Sequence, residues 1–347
     1  MPPTRRQARL SQPGEFQLIQ SLPRRFSTQG LRPIVGNGDD AAVLPSSSSQ
    51  HTVISTDLLI ENIHFTRKTA TFYDIGYKAA AANLSDIAAM GATPTAIFVA
   101  IALPPSFIEE DWHEFYRGLA IPCQPYKVQL LGGDTSSSPT SLFIAITIMG
   151  QVAPGHILTR HGARKGDLIY VSGTLGDSAA GLAYLKTYQH PPRILSLPKS
   201  RQYLVQRHLQ PTPRITLGQL LASRPFASAA LDLSDGLSGD LRHLCEHSQV
   251  GALIYNARIP MSEQIKNYAK RIHTTPLHWA LHGGEDYELL FTLSPKWQHE
   301  LEKMAKKRRI PITQIGVIQP KQFGIRIEQS DRTRNDFPAQ SYEHFSP

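Results

Sequence analysis

Seven aspartates of this chain stand among glycine, serine and threonine residues at the ends of apolar runs. They fall in five short segments: Gly38-Asp39-Asp40, Ser55-Thr56-Asp57, Asn83-Leu84-Ser85-Asp86, Gly132-Gly133-Asp134-Thr135 and Asp232-Leu233-Ser234-Asp235-Gly236. Active sites of layered α/β proteins are assembled at strand ends and in the turns that follow them. The pattern therefore predicts that these carboxylates converge on one site.

Each aspartate on its own also has a purely structural explanation, because aspartate is favoured at helix N-caps and in turns beside glycine. Asp86 fits that explanation least. It falls inside a predicted apolar helix from Ile75 to Met90, three residues after Asn83, so the two polar side chains share a face made of alanine and leucine. A carboxylate buried there is unfavourable unless it is paired or binds a metal, and this favours a ligand role.

All the candidate ligands are hard oxygen donors, which favour Mg²⁺ or Mn²⁺ over zinc or copper. Clustered carboxylates repel a polyphosphate, but divalent ions between carboxylate and phosphate oxygens reverse that repulsion and neutralise charge that develops during phosphoryl transfer. The cluster thus predicts a metal-bridged polyphosphate. The sequence has no GxxxxGK[ST] loop and no protein-kinase HRD signature, which excludes those two phosphate-binding schemes.

The elements that must position these residues alternate between short apolar strands and helices. In the first half, the patterns predict strands at 52–57, 97–103, 127–131 and 141–149 and helices at 74–92 and 109–121. In the second half, they predict strands at 168–172, 229–233, 252–256 and 287–292, helices at 177–188, 214–223 and 237–247, and a helix that ends in the basic run 306–309. Mixed α/β layers are predicted in both halves.

Three connecting segments carry their own predictions. The segment 151–166 is rich in glycine, proline and basic residues, and we place a domain boundary there, with an N-terminal domain at 1–154 and a C-terminal domain at 155–347. The proline-rich stretch 191–213 is predicted to be a connection that leads to the helix at 214–223. Between a strand and a helix, Gly173 to Asp177 either donates backbone N–H groups to a bound anion or forms an ordinary tight turn.

Composition narrows the class of protein. The two cysteines, Cys123 and Cys245, lack the spacing of a zinc site, and they fit a reducing cytoplasm. The longest apolar run, 96–103, is too short to cross a bilayer. The net charge of +8 is concentrated in residues 1–34, where six arginines stand with one glutamate, and no nucleic-acid-binding motif accompanies it. Neither a membrane nor a nucleic acid is therefore a predicted partner.

Nine segments, taken in order, resemble the thiamine-monophosphate kinase family. They are Gly14-Glu15-Phe16, GNGDDAAVL (36–44), STDLLIENIHF (55–65), NLSDIAAMGA (83–92), GGDT (132–135), VSGTLGDSAAGL (171–182), DLSDGL (232–237), GGEDYELLFT (283–292) and Tyr342-Glu343-His344-Phe345. Separate pieces recur in aminoimidazole ribonucleotide synthetases and selenophosphate synthetases, but STDxLxxxxHF together with GGEDYELLF is specific to the kinases. Asn37 and Ser136 to Ser138 depart from the family pattern, and neither departure removes a candidate ligand.

The resemblance implies a two-domain α/β protein with the aminoimidazole ribonucleotide synthetase fold, whose N-terminal sheets pair in a homodimer. It implies that ATP and several Mg²⁺ ions bind in the cleft and that thiamine monophosphate becomes thiamine diphosphate, the last step of thiamine diphosphate biosynthesis. The implied metal ligands are Asp40, Ser55, Thr56, Asp57, Asp86, Asp134, Asp232 and Asp235. Among them, the implied catalytic residues are Asp57, Asp86 and Asp235.

The resemblance also implies contacts for the two substrates. Those for ATP are Tyr116, Gly133, Asp134, Arg160 and Ser234, and those for the thiamine end are His64, Glu285 and Tyr342. A tyrosine face suits a cationic thiazolium, and a glutamate accepts hydrogen bonds from an aminopyrimidine. Alternatives stay open, because Tyr116 also fits a helix core, Arg160 a surface charge and His64 a structural histidine.

Two other functions compete with the kinase. A sister ATP-dependent synthetase would use the same metal-binding residues to phosphorylate an amide oxygen or a selenide, although GGEDYELL and the aromatic C-terminus argue against it. A nucleotide or thiamine-phosphate sensor would bind without turnover, but it has no need to keep seven intact carboxylates. Turnover measured with a panel of substrates distinguishes the synthetase from the kinase. ATP binding without turnover would favour the sensor.

Overall fold

The computed structural model describes residues 32–36 and 38–338 of the chain. The segment Gly14-Glu15-Phe16, Asn37 and the segment around Tyr342 lie outside the described residues. The predictions made for them therefore stay predictions. Within the described part of the chain, no helix is both long enough and apolar enough to cross a membrane.

The first half forms a five-stranded sheet with helices on one face. Its elements are β1 (Ala42–Pro45), β2 (His51–Ile60), α1 (Phe72–Ala89), β3 (Thr93–Leu103), α2 (Glu109–Cys123), β4 (Gln129–Ser137) and β5 (Phe143–Val152). The strand order is β1-β2-β5-β3-β4, and only the β3–β4 pair is parallel. Alternate residues of β5 are buried, which is the pattern of a sheet with one covered face.

The second half forms a seven-stranded sheet with helices packed around it. Its elements are β6 (Leu168–Ser172), α3 (Asp177–Leu185), α4 (Lys199–Leu209), α5 (Ile215–Ala222), β7 (Ala227–Asp232), α6 (Leu237–Ser248), β8 (Val250–Tyr255), α7 (Glu263–Arg271), α8 (Pro276–His282), β9 (Leu289–Leu293), α9 (Gln298–Lys307), β10 (Ile312–Pro320), β11 (Ile325–Glu328) and β12 (Arg334–Asp336). The strand order is β12-β11-β8-β10-β6-β9-β7. The mixed α/β class predicted from the sequence is confirmed.

Helix α1 is the element that joins the two halves. Thr71 and Asp74 form a capping box at its start, which satisfies backbone N–H groups that the helix leaves unpaired. A Cβ atom at Gly76 would lie 2.0 Å from the carbonyl oxygen of Phe115 on α2, so only glycine permits this close helix contact. Fourteen of its residues are buried, because α1 packs against the sheet, α2, α5 and β7.

Two predictions about local structure were wrong. The stretch 191–213 contains α4, which buries Leu204, Val205 and Leu209, because its prolines flank the helix and do not interrupt it. The predicted strand at 127–131 continues as β4 to Ser137. The GGDT segment therefore lies inside an exposed strand and not at the end of one.

A buried carboxylate holds three elements of the second half together. Glu288, fully buried just before β9, accepts hydrogen bonds from Arg214 Nε at 2.6 Å, Arg207 at 2.8 Å and Ser172 Oγ at 2.5 Å. Burial alone would raise the pKa of Glu288, but Arg214 and Arg207 outweigh it and lower that pKa. The two arginines belong to α4 and to the turn before α5, so the carboxylate fixes both against the sheet.

We expect Glu288→Gln to lower the free energy of unfolding by about 3–5 kcal/mol, because it leaves two arginines without their buried counter-charge. Denaturant unfolding at neutral pH measures the change. The matched control is Glu328→Gln, which breaks the exposed ion pair with Arg334 and should cost less than about 1 kcal/mol. Equal effects of the two substitutions would contradict the structural role of Glu288.

Candidate active site

Three carboxylates from distant parts of the chain meet where the two halves join. Asp40 precedes β1, Asp86 lies on α1, and Asp232 ends β7. Each offers an oxygen atom, and these atoms lie within 4.8 Å of one another. Asp40 and Asp232 are buried, and Asp86 is partly buried. The structure thus brings together three of the seven aspartates singled out from the sequence.

Two serine hydroxyls orient this cluster. Ser55 Oγ on β2 lies 2.6 Å from Asp86 Oδ2 and 3.0 Å from the backbone carbonyl oxygen of Asp40. Ser85 Oγ donates to Asp232 Oδ2 at 2.6 Å, which links α1 of the first half to β7 of the second. Hydrogen bonds, one of them across the junction of the two halves, therefore fix the positions of these carboxylates.

Burial and the neighbouring negative charges raise the pKa values of Asp39, Asp86 and Asp232. The pKa of Asp86 is raised well above its ordinary value by burial and then by the charges of Asp57, Asp232 and Asp40. Burial, followed by the charge of Asp40, raises the pKa of Asp232 to about 7. Burial beside Asp40 also raises the pKa of Asp39 to about 7. Like charges held this close disfavour ionisation, so the site favours a cation that would neutralise them.

Arg160 supplies one positive charge to the cluster. Its guanidinium donates to Asp40 Oδ1, with Nη2 at 2.5 Å and Nε at 3.1 Å, and its backbone N–H donates to Asp39. The other oxygen, Asp40 Oδ2, is buried and has no hydrogen-bond partner among the described residues. A buried unpartnered carboxylate oxygen is costly, and together with the all-oxygen donor set it fits a divalent metal ion.

Asp57 and Asp235 lie beside these three carboxylates. Asp57 follows Ser55 by two residues on β2, so the two share a face of the sheet, and its charge contributes to the raised pKa of Asp86. The backbone N–H of Asp235 donates to Oδ2 of the buried Asp240 at 3.1 Å. Burial and the charge of Asp235 raise the pKa of Asp240. The structure therefore brings five of the implied metal-binding aspartates to one region.

Other implied ligands lie elsewhere on the first sheet. The Thr56 hydroxyl bonds to β5, with the Ile146 carbonyl oxygen at 3.0 Å, on the face opposite to Ser55. Asp134 pairs in register with Ala100 on the exposed edge strand β4, next to Gly133. That register places Asp134 on the sheet face that carries exposed Leu58. Within one chain, the structure does not bring Asp134 into the carboxylate cluster.

The remaining implied ATP contacts have different surroundings. Tyr116 packs against Trp112 and Phe115 of its own helix, with ring centroids 4.6 and 5.2 Å away, as the alternative core interpretation also predicts. The Ser234 carbonyl oxygen accepts the backbone N–H of Glu285 at 2.8 Å, so Ser234 lies between the carboxylate cluster and the implied substrate contact. An ATP role for Tyr116 stays a prediction.

The implied contacts for the thiamine end are partly described. His64 lies in the turn after β2, where its Nδ1 accepts the backbone N–H of Ile60 at 3.0 Å, so the proton of the neutral imidazole is on Nε2. Glu285 Oε1 lies 2.6 Å from Nζ of Lys78 on α1. Its backbone is left-handed, with φ of 66°. Tyr342 lies outside the described residues.

The loop Gly173 to Asp177 does not hold a bound anion, because backbone N–H groups at its end donate to a carboxylate of the protein itself. The backbone N–H of Gly176 donates to Asp286 Oδ2 at 2.5 Å, and that of Ser178 donates to Asp286 Oδ1 at 3.1 Å. The negative charge at the start of α3 is therefore a buried side chain of the protein itself. The alternative interpretation, a tight strand-to-helix turn, describes this loop.

Four residues that shape the site were missed by the sequence analysis. Ser85 orients Asp232, Asp240 holds the Asp235 backbone, and Lys78 pairs with Glu285. Glu61 accepts from Arg67 Nε and from the backbone N–H of Leu142, which fixes the turn that carries His64. The sequence did carry one signal, because Ser85 and Lys78 lie on α1 with Asp86, whereas no pattern pairs Lys78 with Glu285.

Comparisons with known proteins agree with this geometry. Residues 38–152 match AIR synthase related protein, N-terminal domain, and residues 164–328 match the corresponding C-terminal domain. A thiamine-monophosphate kinase of Haemophilus influenzae is 41% identical over 338 residues, covering 96% of this chain and 98% of the relative. The Escherichia coli K12 thiamine-monophosphate kinase is 42% identical over 304 residues, covering 87% of this chain and 90% of the relative.

Solved structures give the same result. The structure of AaThiL complexed with AMPPCP and TMP has a TM-score of 0.82 and 31% identity, covering 97% of this chain and 99% of that one. Thiamine-monophosphate kinase from Stenotrophomonas maltophilia K279a has a TM-score of 0.74 and 37% identity, covering 85% of this chain and 91% of that one. The fold and the two domain matches define a protein of the AIR synthase related class. Within that class, the chain belongs to the thiamine-monophosphate kinase family, which confirms the resemblance.

Proposed function

We propose that this protein transfers the γ-phosphoryl group of ATP to thiamine monophosphate and releases thiamine diphosphate and ADP. The observation that carries the proposal is the buried carboxylate cluster of Asp40, Asp86 and Asp232 at the junction of the two halves. Such a cluster suits a metal-bridged polyphosphate. Full-length similarity to thiamine-monophosphate kinases supports the choice of substrate. A cytoplasmic location stays a prediction from the cysteine content.

Several Mg²⁺ ions would be held by Asp40, Asp57, Asp86, Asp232 and Asp235, with the Ser55 hydroxyl and the Thr56 carbonyl oxygen as neutral ligands. When bound, the metal supplies charge neutralisation between the triphosphate and the second phosphate. Arg160, which already donates to Asp40, would turn toward phosphate oxygens once metal ions neutralise its present partner. Catalysis is assigned to Asp57, Asp86 and Asp235 because they position the reacting phosphates.

The transfer itself is direct and in line. A phosphate oxygen of thiamine monophosphate attacks the γ-phosphorus as the bond to the β–γ bridging oxygen breaks, and ADP leaves with that oxygen. The acceptor phosphate has a second pKa of about 6, so it is largely ionised at neutral pH and needs no general base. The protein therefore contributes position and charge. Trapping a phosphorylated His64 would contradict this direct route.

At the thiamine end, we assign His64, Glu285 and Tyr342. Glu285 accepts the amino group of the aminopyrimidine, and Tyr342 places its ring on the cationic thiazolium. The charge of Glu285 contributes to the raised pKa of buried Tyr287, as do the charges of Asp57, Asp232 and Asp86, after the larger effect of burial. Glu285 and the carboxylate cluster thus influence one common side chain, which supports a single continuous site.

A homodimer would complete the site. The uncovered side of the first sheet and its edge expose Leu58, Leu130, Leu131 and Phe143, and apolar surface of this kind is typical of an interface. Asp134 and Gly133 lie on β4 at the same edge. We therefore propose that sheet-to-sheet pairing covers these apolar residues and brings Gly133 and Asp134 to ATP and its metal ions.

The first experiment measures ADP and thiamine diphosphate formed by the purified protein from ATP, Mg²⁺ and thiamine monophosphate. We expect one thiamine diphosphate per ADP, and no product when EDTA removes the metal. Thiamine without its phosphate is the control acceptor, since it lacks the ionised oxygen. Turnover of a synthetase substrate in place of thiamine monophosphate would favour the sister enzyme, and ATP binding with no product would favour the sensor.

A further inference from the structure

A buried lysine holds the glutamate proposed to read the pyrimidine ring. Lys78 lies on α1 and is 4% exposed, and its Nζ is 2.6 Å from Glu285 Oε1. The side chain of Glu285 remains 29% exposed, so part of the carboxylate is open to a ligand. Lys78 belongs to the first half of the chain and Glu285 to the second, and their ion pair therefore crosses the same junction as the carboxylate cluster.

His208 on α4 completes this arrangement as a neutral group. Burial and then the charge of Lys78 lower the pKa of His208 well below its ordinary value, so the ring is uncharged. Its Nε2 lies 3.5 Å from Lys78 Nζ, and its Nδ1 lies 3.0 Å from Ser178 Oγ. Because an ammonium can only donate, Nε2 accepts and the ring proton is on Nδ1. Glu285 is therefore the counter-charge of Lys78.

The backbone of Glu285 is fixed as firmly as its side chain. Glu285 and Tyr287 both have left-handed φ values, 66° and 50°, which non-glycine residues rarely adopt. The backbone N–H of Glu285 donates to Ser234, and that of Tyr287 donates to Leu233 at 3.0 Å. These bonds tie the segment to the end of β7, next to Asp232. One carboxylate oxygen is then aligned by Lys78, and the carboxylate presents only acceptors to a ligand.

We propose that Lys78 is a positioning residue that orients the Glu285 carboxylate and thereby selects substrates with an amino group on the pyrimidine ring. The proposal rests on the assignment of thiamine monophosphate as substrate. An ionised carboxylate accepts from an amino group but repels a carbonyl oxygen at the same ring position, since both are then acceptors. Without Lys78, Glu285 Oε1 loses its counter-charge at 2.6 Å, and among the described residues only the longer contact between Glu285 Oε2 and His208 Nδ1, at 3.6 Å, remains, so this discrimination is lost.

The test compares thiamine monophosphate with its analogue in which a carbonyl oxygen replaces the pyrimidine amino group. For the wild-type protein, we expect kcat/KM to favour the amino substrate by about 100-fold. In Lys78→Met, we expect this preference to fall below about 10-fold and KM for thiamine monophosphate to rise about 10-fold, with KM for ATP within about twofold. The matched control is Gln210→Ala, which removes the hydrogen bond from the residue after α4 to Asp74 on α1 and should keep the preference.

Glu285→Gln and the double variant Lys78→Met/Glu285→Gln complete a double-mutant cycle with Lys78→Met. Because Lys78 acts through Glu285, we expect the double variant to match Glu285→Gln within about twofold in preference and in KM. The double variant leaves neither charge of the pair buried without its partner. It can therefore replace Lys78→Met in the test if thermal unfolding shows that Lys78→Met alone is unstable. Full preference in Lys78→Met, or a further loss in the double variant, would overturn the proposal. Wild-type protein without any turnover of thiamine monophosphate would instead overturn the proposed function itself.

Discussion

Asp86→Asn is expected to lose at least about 1,000-fold in turnover while the protein stays folded. That loss corresponds to about 4 kcal/mol of transition-state stabilisation, in the range that a metal ion supplies at a transferring phosphoryl group. Asparagine keeps the shape of the side chain and can still accept from Ser55 Oγ, which now lies 2.6 Å from Asp86 Oδ2. It removes only the charge that a divalent ion needs, so kcat should fall with little change in the overall structure.

Stability distinguishes this loss from simple unfolding. The pKa of Asp86 is raised by burial and by Asp57, Asp232 and Asp40, so its ionised form is unfavourable in the metal-free fold. Removing that charge should leave the thermal unfolding temperature of the metal-free protein unchanged or higher. The increase in unfolding temperature that Mg²⁺ causes should become smaller than in the wild-type protein. The control is Asp336→Asn on the exposed strand β12, which should change neither quantity. Wild-type turnover by Asp86→Asn would contradict the metal-binding role.

The sequence predicted the carboxylate cluster better than it predicted the surroundings of the cluster. Asp86 was recognisable because burying a carboxylate inside an alanine-rich helix costs free energy unless the carboxylate is paired or binds a metal. Asp232 was recognisable because it ends a buried strand. Both signals are local, and the structure shows the two residues close to Asp40. Local patterns succeed here because strand ends and one central helix are themselves fixed by local hydrophobic periodicity.

Contacts between distant segments could not be derived in this way. Lys78 reads as an ordinary charge on α1, and only the fold brings it to Glu285. The anion at the start of α3 is Asp286, which lies far along the chain from Gly176. In both cases, the partner of a charged or polar group is chosen by tertiary packing. A single sequence states that such a group needs a partner, but it does not state which residue provides it.

Glycine and proline misled the secondary-structure prediction where their context decides their effect. Prolines at both ends of α4 were interpreted as a connection, although Pro198 stands at the N-cap of that helix, where proline is tolerated. The strand before GGDT was predicted to end at residue 131, yet GGDT lies inside β4, an exposed edge strand that continues to Ser137, where glycine weakens the strand without ending it. The consequence is functional, because Asp134 then belongs to the exposed sheet and not to the carboxylate cluster.

Mg²⁺ is expected to bind at least about tenfold more tightly at pH 8 than at pH 6. In the metal-free protein, burial and the charge of Asp40 raise the pKa of Asp232 to about 7, and that of Asp86 is raised as well. A ligand must be deprotonated, so each such group that is protonated at pH 6 must lose its proton when metal binds. Calorimetric titration with Mg²⁺ in two buffers of different ionisation enthalpy measures both the affinity and the protons released.

The same pKa values fix the sign of the pH effect on stability. An unfolded aspartate has a pKa of about 3.9, so between about pH 4 and pH 7 Asp39, Asp86 and Asp232 bind more protons in the folded metal-free protein than in the unfolded chain. Their contribution to the free energy of unfolding should therefore fall across that window as the pH rises, with saturating Mg²⁺ restoring the most stability at the upper end. Asp232→Asn should release fewer protons on binding Mg²⁺. Equal Mg²⁺ affinity at the two pH values, with no proton release, would show that these carboxylates do not bind the metal.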